Sequence, residues 1–474
     1  MLAACSLGPD YTQPPLEIPE AWRATSTTAA QAWPSADWWH GFGSPELDRL
    51  IADAREQNFD ILAAIARVRQ ADAALRIAGA PLLPTASATA KAGWQRSSIT
   101  TERINAGSNV GALNQTYIET RAYSLTPAVS YELDFWGALR AGRDAAAASA
   151  LFSRFDQQTV ALTTVTSVAD TWFQALAQQD RIDVARRNLS DADEILRAIR
   201  ARLDAGTASE LDVSQQEALA AGIRAQIPGL QSQLEQLLNG LGILVGRPPE
   251  AITVRPGTLN SLSLPELAPG LPSDMLARRP DVAAAEAQLI AANANIRVAR
   301  AAFFPQVTLS GSAGWESIAL ATLFGPGSLF ATAAATATQT IFDNGLKAAQ
   351  LEQNRGRYDE LLADYRKAVV QAFTDAENAM QAYRYGTEQE AAERVAVATA
   401  QRAADIARAQ MLAGTLDIVS VLQAQTTLFT DLDLLAQARL TRFQALLSLY
   451  KALGGGWSNS EVVPPTTPLY QGVL

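Results

Sequence analysis

The sequence predicts an α+β membrane protein of two internal repeats. Each repeat carries long antiparallel helices and two strands, and the four strands form one chain's share of an oligomeric β-barrel. Three observations carry this expectation. First, the chain repeats itself: Asp60, Arg76, Pro84, Gly93 and Trp94 recur in order as Asp281, Arg297, Pro305, Gly314 and Trp315, and Ala205-Gly206-Thr207 recurs as Ala413-Gly414-Thr415. Second, residues 137–204 and 345–412 contain no proline, and apolar residues recur at helical steps, as in Val165, Val168, Ala169, Trp172 and Leu176. Third, four segments alternate apolar and polar residues with the period of a strand.

Composition narrows the functional classes. The 474 residues hold 38 Lys+Arg against 48 Asp+Glu, a net charge of −10, which disfavours nucleic acid as a partner. At 48% hydrophobic and 18% charged the chain is far from disorder. One histidine (His40), one cysteine (Cys5) and four methionines leave almost no stock for metal clusters, Ser-His-Asp triads or disulfides. No run of 18 or more apolar residues is present, so a transmembrane helix is not supported.

The elements follow in order. Residues 1–43 read as an N-terminal arm. Leu2-Ala3-Ala4-Cys5 looks like a bacterial lipobox, in which the cysteine takes a covalent lipid, and Pro9, Pro14, Pro15 and Pro19 suit a tether. Four residues before the cysteine are the end of a truncated signal peptide, or the motif is chance and the thiol a lone buried or free one. The first repeat, 44–247, comprises a helix over about 46–80, strands over about 84–97 and 117–135, a long helix over about 137–204 and a returning helix over about 208–245. A proline-rich linker, 248–272, leads to the second repeat, 273–455: a helix to about 303, strands over about 305–317 and 327–342, a long helix over about 345–412 and a returning helix over about 416–453. Residues 456–474 form a C-terminal tail. Each long helix would span roughly 100 Å at ~1.5 Å per residue, flanked by two stacked short helices, in a tall wall without a compact core. Gly206 and Gly414 close the long helices at the hairpin tips.

Alternation is sharpest in the second and third strands. Tyr123, Leu125, Pro127, Val129, Tyr131, Leu133 and Phe135 oppose Ser124, Thr126, Ala128, Ser130, Glu132 and Asp134. After Pro305, Val307, Leu309, Gly311, Ala313 and Trp315 oppose Gln306, Thr308, Ser310, Ser312 and Glu316. A soluble sandwich with one wet face also alternates. Four strands cannot close a barrel and an open edge cannot face lipid, so a spanning sheet requires several chains. Trp94, Trp136, Trp315 and Phe342 near strand ends suit an interfacial girdle or ordinary packing.

With these pieces in place the sequence resembles the outer-membrane channel subunits of tripartite efflux pumps, the TolC superfamily, in its lipid-anchored OprM/NodT-like branch. The residues that carry the likeness are Trp38-Trp39-His40-Gly41-Phe42 with Pro45, Leu47 and Asn58, then Tyr131-Glu132-Leu133-Asp134-Phe135-Trp136-Gly137 with Arg140, and Arg278-Arg279-Pro280-Asp281-Val282 through Ala301-Ala302-Phe303-Phe304-Pro305. The resemblance implies a homotrimer with a twelve-stranded β-barrel in the outer membrane and a periplasmic tunnel of antiparallel helices. Drugs or other small organic compounds would pass without chemistry and without a cofactor, apart from the lipid on Cys5. It implies a periplasmic adaptor and an inner-membrane pump, of resistance-nodulation-division type, as partners. Ala205, Gly206, Thr207, Ala413, Gly414 and Thr415 become the adaptor-docking tips, and Asp417, Leu412 and Leu416 the gate candidates. Asp417 reads equally as a helix N-terminal acid favoured by the macrodipole.

Two other classes remain to be weighed: a non-conducting periplasmic helical scaffold or adaptor lipoprotein, and an enzyme working with carboxylates alone. The alternating strands speak against the first. The acids, as in Asp191, Asp193 and Glu194, sit at spacings usual for solvated helix faces, which speaks against the second. Met380 and Met411 are too few to suggest a metal-ion cargo.

Overall fold

The computed structural model describes residues 8, 10–23, 33–98, 117–265 and 271–457. The expected lipidation site Cys5 and the tail beyond 457 lie outside these residues. Helices α1 (Pro45–Gln57) and α2 (Phe59–Gly79) lead to strands β1 (Thr85–Ser98) and β2 (Tyr117–Leu133), then to α3 (Ala138–Asp204) and α4 (Glu210–Val245). The second repeat runs α5 (Pro272–Leu276), α6 (Pro280–Ala301), β3 (Gln306–Ser317), β4 (Leu329–Thr338), α7 (Leu346–Leu412) and α8 (Ile418–Ala452).

Local chemistry explains the boundaries. The strand-to-helix turns of both repeats use the same device: Asp134 accepts hydrogen bonds from the Leu139 and Arg140 N–H groups at 3.1 and 2.9 Å, and Asp343 accepts from Lys347 N–H at 3.2 Å, so a carboxylate caps each 67-residue helix. The expected helix over 46–80 is two helices. Asn58 leaves helical geometry at ψ 128°, accepts from the Asp60 and Ile61 N–H groups to start α2, and donates to the Leu244 carbonyl at 2.8 Å. The expected helix over 273–303 is likewise divided, because Pro280 has no N–H to continue α5 and opens α6 instead.

The sheet has the order β1-β2-β3-β4, antiparallel throughout. Pro127 lies in the inner strand β2, where pairing to β3 lapses between Leu125–Trp315 and Ala128–Ser312. Proline has no N–H to donate, which fits a lapse in the ladder at this point.

The helices depart from two sequence expectations. The flanking helices are shared between repeats: α3 packs against α2 and α6 towards the sheet and against α4 and α8 towards the tips. A compact core also exists at mid-height. Trp38, Phe42, Leu47, Ile51, Trp172, Phe173, Leu241, Phe443, Leu446 and Tyr450 are buried together. Phe42 meets Phe173 at 5.0 Å, Phe173 meets Phe443 at 5.0 Å, and Trp38 stacks on Tyr450 at 4.5 Å. The Trp38-Trp39-His40-Gly41-Phe42 motif is thus the plug of a helical interface. Gly454, Gly455 and Gly456 seal the same level with positive φ. A Cβ on Gly454 would lie 1.9 Å from the Arg278 carbonyl oxygen and one on Gly456 2.2 Å from that of Ser35.

Candidate functional site

Residues directly opposed in an antiparallel sheet share a face, so the register sorts every strand residue. One set of rows reads Ala86–Val129–Gly311–Ala333, Ala90–Leu125–Trp315–Leu329, Tyr131–Leu309–Ala335 and Leu133–Val307–Ala337. The other reads Thr85–Ser130–Ser310–Ala334, Ser87–Ala128–Ser312–Thr332, Lys91–Ser124–Glu316 and Glu132–Thr308–Thr336. The weak alternation of β1 and β4 therefore falls in phase with the strong alternation of β2 and β3. From the helix end up to the Ala90–Leu125–Trp315–Leu329 row one face is alanine, branched aliphatic and aromatic, and beyond it the same face carries Trp94 with Arg96, Glu119 and Arg121. The other face carries the hydroxyls, Lys91, Glu132 and Glu316, with Phe330 among them. Ser312 and Thr332 hydrogen-bond across the polar face at 2.7 Å.

Aromatic residues bracket the apolar face. At the end away from the helices Trp94 is 60% exposed, and Trp315 meets Phe324 edge-on at 5.5 Å. At the helix end Trp136 stacks on Phe304 at 4.7 Å and donates to the Pro305 carbonyl at 2.8 Å, while Ile341 and Phe342 are 91% and 84% exposed. Packing holds Trp136, whereas Trp94 and Phe342 project freely. The apolar face of β4, 10 residues long, would stand ~25 Å tall at ~3.3 Å per residue and a tilt of roughly 40°. No helix among the described residues is long and apolar enough to cross a membrane.

The hairpin tips form the second part of the site. Gly206 and Gly414 have φ of +69° and +75° and close matching turns. Thr207 N–H donates to Arg202 O at 2.8 Å and Thr415 N–H to Gln410 O at 2.9 Å. Ser209 then caps α4 reciprocally with Asp212, and Asp417 caps α8. The Asp417 oxygens accept from Ser420 N–H at 2.9 Å and Ser420 Oγ at 3.1 Å. The Ser420 N–H, followed by its hydroxyl, holds this exposed carboxyl below the usual range. Leu416 packs half-buried against the tip cluster of Ile195, Ile199, Met411, Ile418 and Val421, whereas Leu412 is 60% exposed. The six predicted tip residues and three gate candidates thus gather at one end of the molecule.

Two cross-links at this end had no signal in the sequence. Arg202 donates to the Met411 carbonyl at 2.7 Å, joining the ends of the two long helices, and Arg408 pairs with Glu194. Their partners lie in the opposite repeat, and one of them is a backbone atom. A third, buried link stands higher: Glu390, 2% exposed, is bound by Arg394 at 2.6 Å, Arg439 at 3.1 Å and Arg442 at 3.0 Å. Burial would raise the Glu390 carboxyl, but hydrogen bonds from Arg394, Arg442 and Arg439 outweigh it and hold the carboxyl low. Its step of four to Arg394 is the one part readable from spacing. No group of metal-binding side chains occurs among the described residues.

The model of the family described as "Outer membrane efflux protein" matches residues 50–247 and 271–455. The pyoverdine export outer membrane protein OpmQ of Pseudomonas aeruginosa is 38% identical over 97% of this chain and 96% of its own length. The toluene efflux pump outer membrane protein TtgF of Pseudomonas putida is 32% identical over 98% and 97%. Among solved structures, the open state of the MtrE outer membrane channel of Neisseria gonorrhoeae superposes with a TM-score of 0.83 at 29% identity, over 96% of this chain and 99% of that one.

Proposed function

The chain belongs to the outer membrane efflux protein family, and from that premise we propose that three copies join their four-stranded sheets edge to edge into one twelve-stranded barrel that continues into a helical tunnel. The observation that carries this reading is the in-phase register: one sheet face suits lipid and the other water, while β1 and β4 each keep an open edge that lipid does not tolerate. The protein is an outer-membrane efflux component, and in this reading it acts on its cargo by conduction alone, without catalysis. One relative is named for pyoverdine and another for toluene. Cargoes so unlike argue for a permissive conduit that passes small organic compounds selected by other subunits.

In the same reading the tips, Ala205-Gly206-Thr207 and Ala413-Gly414-Thr415, dock a periplasmic adaptor coupled to an inner-membrane pump of the resistance-nodulation-division type. Asp417, Leu412 and Leu416 constrict the closed end, held by the Arg202–Met411 and Arg408–Glu194 links. Cys5 carries a lipid. The start of the arm supports this, since Gly8 packs against Arg297 and Arg300 at the sheet end of α6, within a few residues' reach of the membrane.

Planar-bilayer conductance of the detergent-extracted protein, with mass by light scattering on the same sample, tests the proposal. A trimer mass with discrete channel steps supports it. A monomer that never conducts refutes it and favours a helical scaffold.

A further inference from the structure

The turn between β3 and β4 lies at the end of the sheet farthest from the helices, where an outer-membrane protein meets the external medium. It is apolar all the same. From Ser317 to Phe342 there is no charged residue. Ile318 is 77% exposed, Leu320 64%, Phe324 67% and Leu329 65%. An exposed patch of this kind in water marks an interaction surface.

Two features of the turn identify its partner. The first is continuity. Phe324 folds back onto Trp315, and Trp315 shares a row with Leu125 and Leu329 on the apolar sheet face, so the turn extends that face. The second is the fate of its backbone polar groups. Gly325 N–H donates to Thr322 O at 3.0 Å, Ser328 N–H to Gly325 O at 3.1 Å and Glu316 N–H to Ser328 O at 2.9 Å. The Ser328 hydroxyl reaches the Leu323 and Gly325 carbonyls, and Ser317 and Thr322 bond side chain to side chain at 2.7 Å. A turn that binds its own carbonyls and amides tolerates an apolar phase, whereas an ordinary water-facing loop leaves them to solvent.

We propose that this turn is a lipid-binding element that inserts Ile318, Leu320 and Phe324 into the outer leaflet at the boundary of headgroups and acyl chains. It rests on the reading of the apolar sheet face as lipid-facing. The inserted side chains hold the barrel at a set depth and keep the external rim of this repeat off the pore mouth.

Nitroxide labels at single introduced cysteines test it in full-length protein in proteoliposomes, with the unsubstituted protein taken through the same labelling as background and collision with oxygen and with a water-soluble nickel chelate as readout. Position 320 is the test, position 309 on the apolar face and position 91 on the polar face the references. Expected is a several-fold higher oxygen-to-nickel ratio at 320 and at 309 than at 91. A ratio at 320 equal to that at 91, with 309 still high, overturns the lipid-binding turn and leaves the barrel reading intact. Low accessibility of 320 to both reagents overturns it too, by placing the turn in the pore mouth or against protein. A low ratio at 309 overturns the underlying assignment of faces. Labelling position 318 repeats the test if the 320 variant does not assemble.

Discussion

Two neighbouring arginine substitutions on β4 interrogate the two-faced sheet directly. Ala333 opposes Gly311 on the apolar face and lies at the middle of Leu329–Thr338, so in a spanning sheet its side chain sits near the bilayer midplane. Thr332, one residue away, opposes Ser312 on the polar face. Arginine at the midplane on a lipid-facing barrel position costs about 2–4 kcal/mol, and a lumen position is nearly indifferent. At 1.36 kcal/mol per tenfold, Ala333→Arg should shift the folding equilibrium by roughly 30- to 900-fold per chain. Three copies raise the cost to about 6–12 kcal/mol per trimer. Thr332→Arg should stay close to the parent in stability and change ion selectivity. The assay is denaturant unfolding of protein refolded into liposomes, followed by tryptophan emission, with trimer mass checked in detergent. Equal loss in both variants, or greater loss in Thr332→Arg, would refute the assignment of faces, since both side chains sit at the same depth and differ only in direction.

Three further outcomes follow from the helical part. Asp417→Asn keeps the α8 cap and removes the charge, so as a gate residue it should raise single-channel conductance and lower cation preference. If only Asp417→Ala has an effect, a local fraying of the α8 start, then Asp417 is a cap and nothing more. Gly454→Ala and Gly414→Ala both force alanine to positive φ, +85° and +75°, but Gly414 has open space around it while Gly454 faces the Arg278 carbonyl. The tip variant should lose about 1 kcal/mol and the Gly454 variant clearly more, by thermal unfolding, and equal losses would count against the tight seal at mid-height. Burial would raise the Asp281 carboxyl, but the Arg279 hydrogen bonds and charge outweigh it and hold it low. Its stabilisation, like that of Glu390, is therefore complete above about pH 5 and is lost as pH falls through the usual carboxylate range towards the lowered folded values. Asp281→Asn should flatten stability against pH below pH 5, and an unchanged slope would contradict the pairing.

Much of the fold was legible because its signals are local. Gly206 and Gly414 announce helix ends, and alternation in β2 and β3 announces half-wet strands, since a period of two or 3.6 is written along the chain itself. The Asn58 break was legible in principle, because Asn is a strong N-cap, but the continuous apolar periodicity across 46–80 masked it. Pro280 likewise marked the start of α6. The tip residues could be named from the repeat, whereas Arg202 could not, because its acceptor is the carbonyl of Met411 in the other repeat.

By itself the sequence determined the element types and the two faces of β2 and β3, set by propensity and periodicity within a window of a dozen residues, and the duplication, read by laying one half of the chain against the other. Tertiary structure alone decided that the four strands align their apolar rows in phase, that α3 packs against α6 of the other repeat, that the tryptophan motif closes a mid-height core, and that the β3–β4 turn folds Phe324 back onto Trp315. Each of these joins residues far apart in sequence or in a turn without periodicity. Register and packing minimise exposed apolar surface and unpaired backbone groups over the whole molecule, and no short stretch of chain encodes that sum.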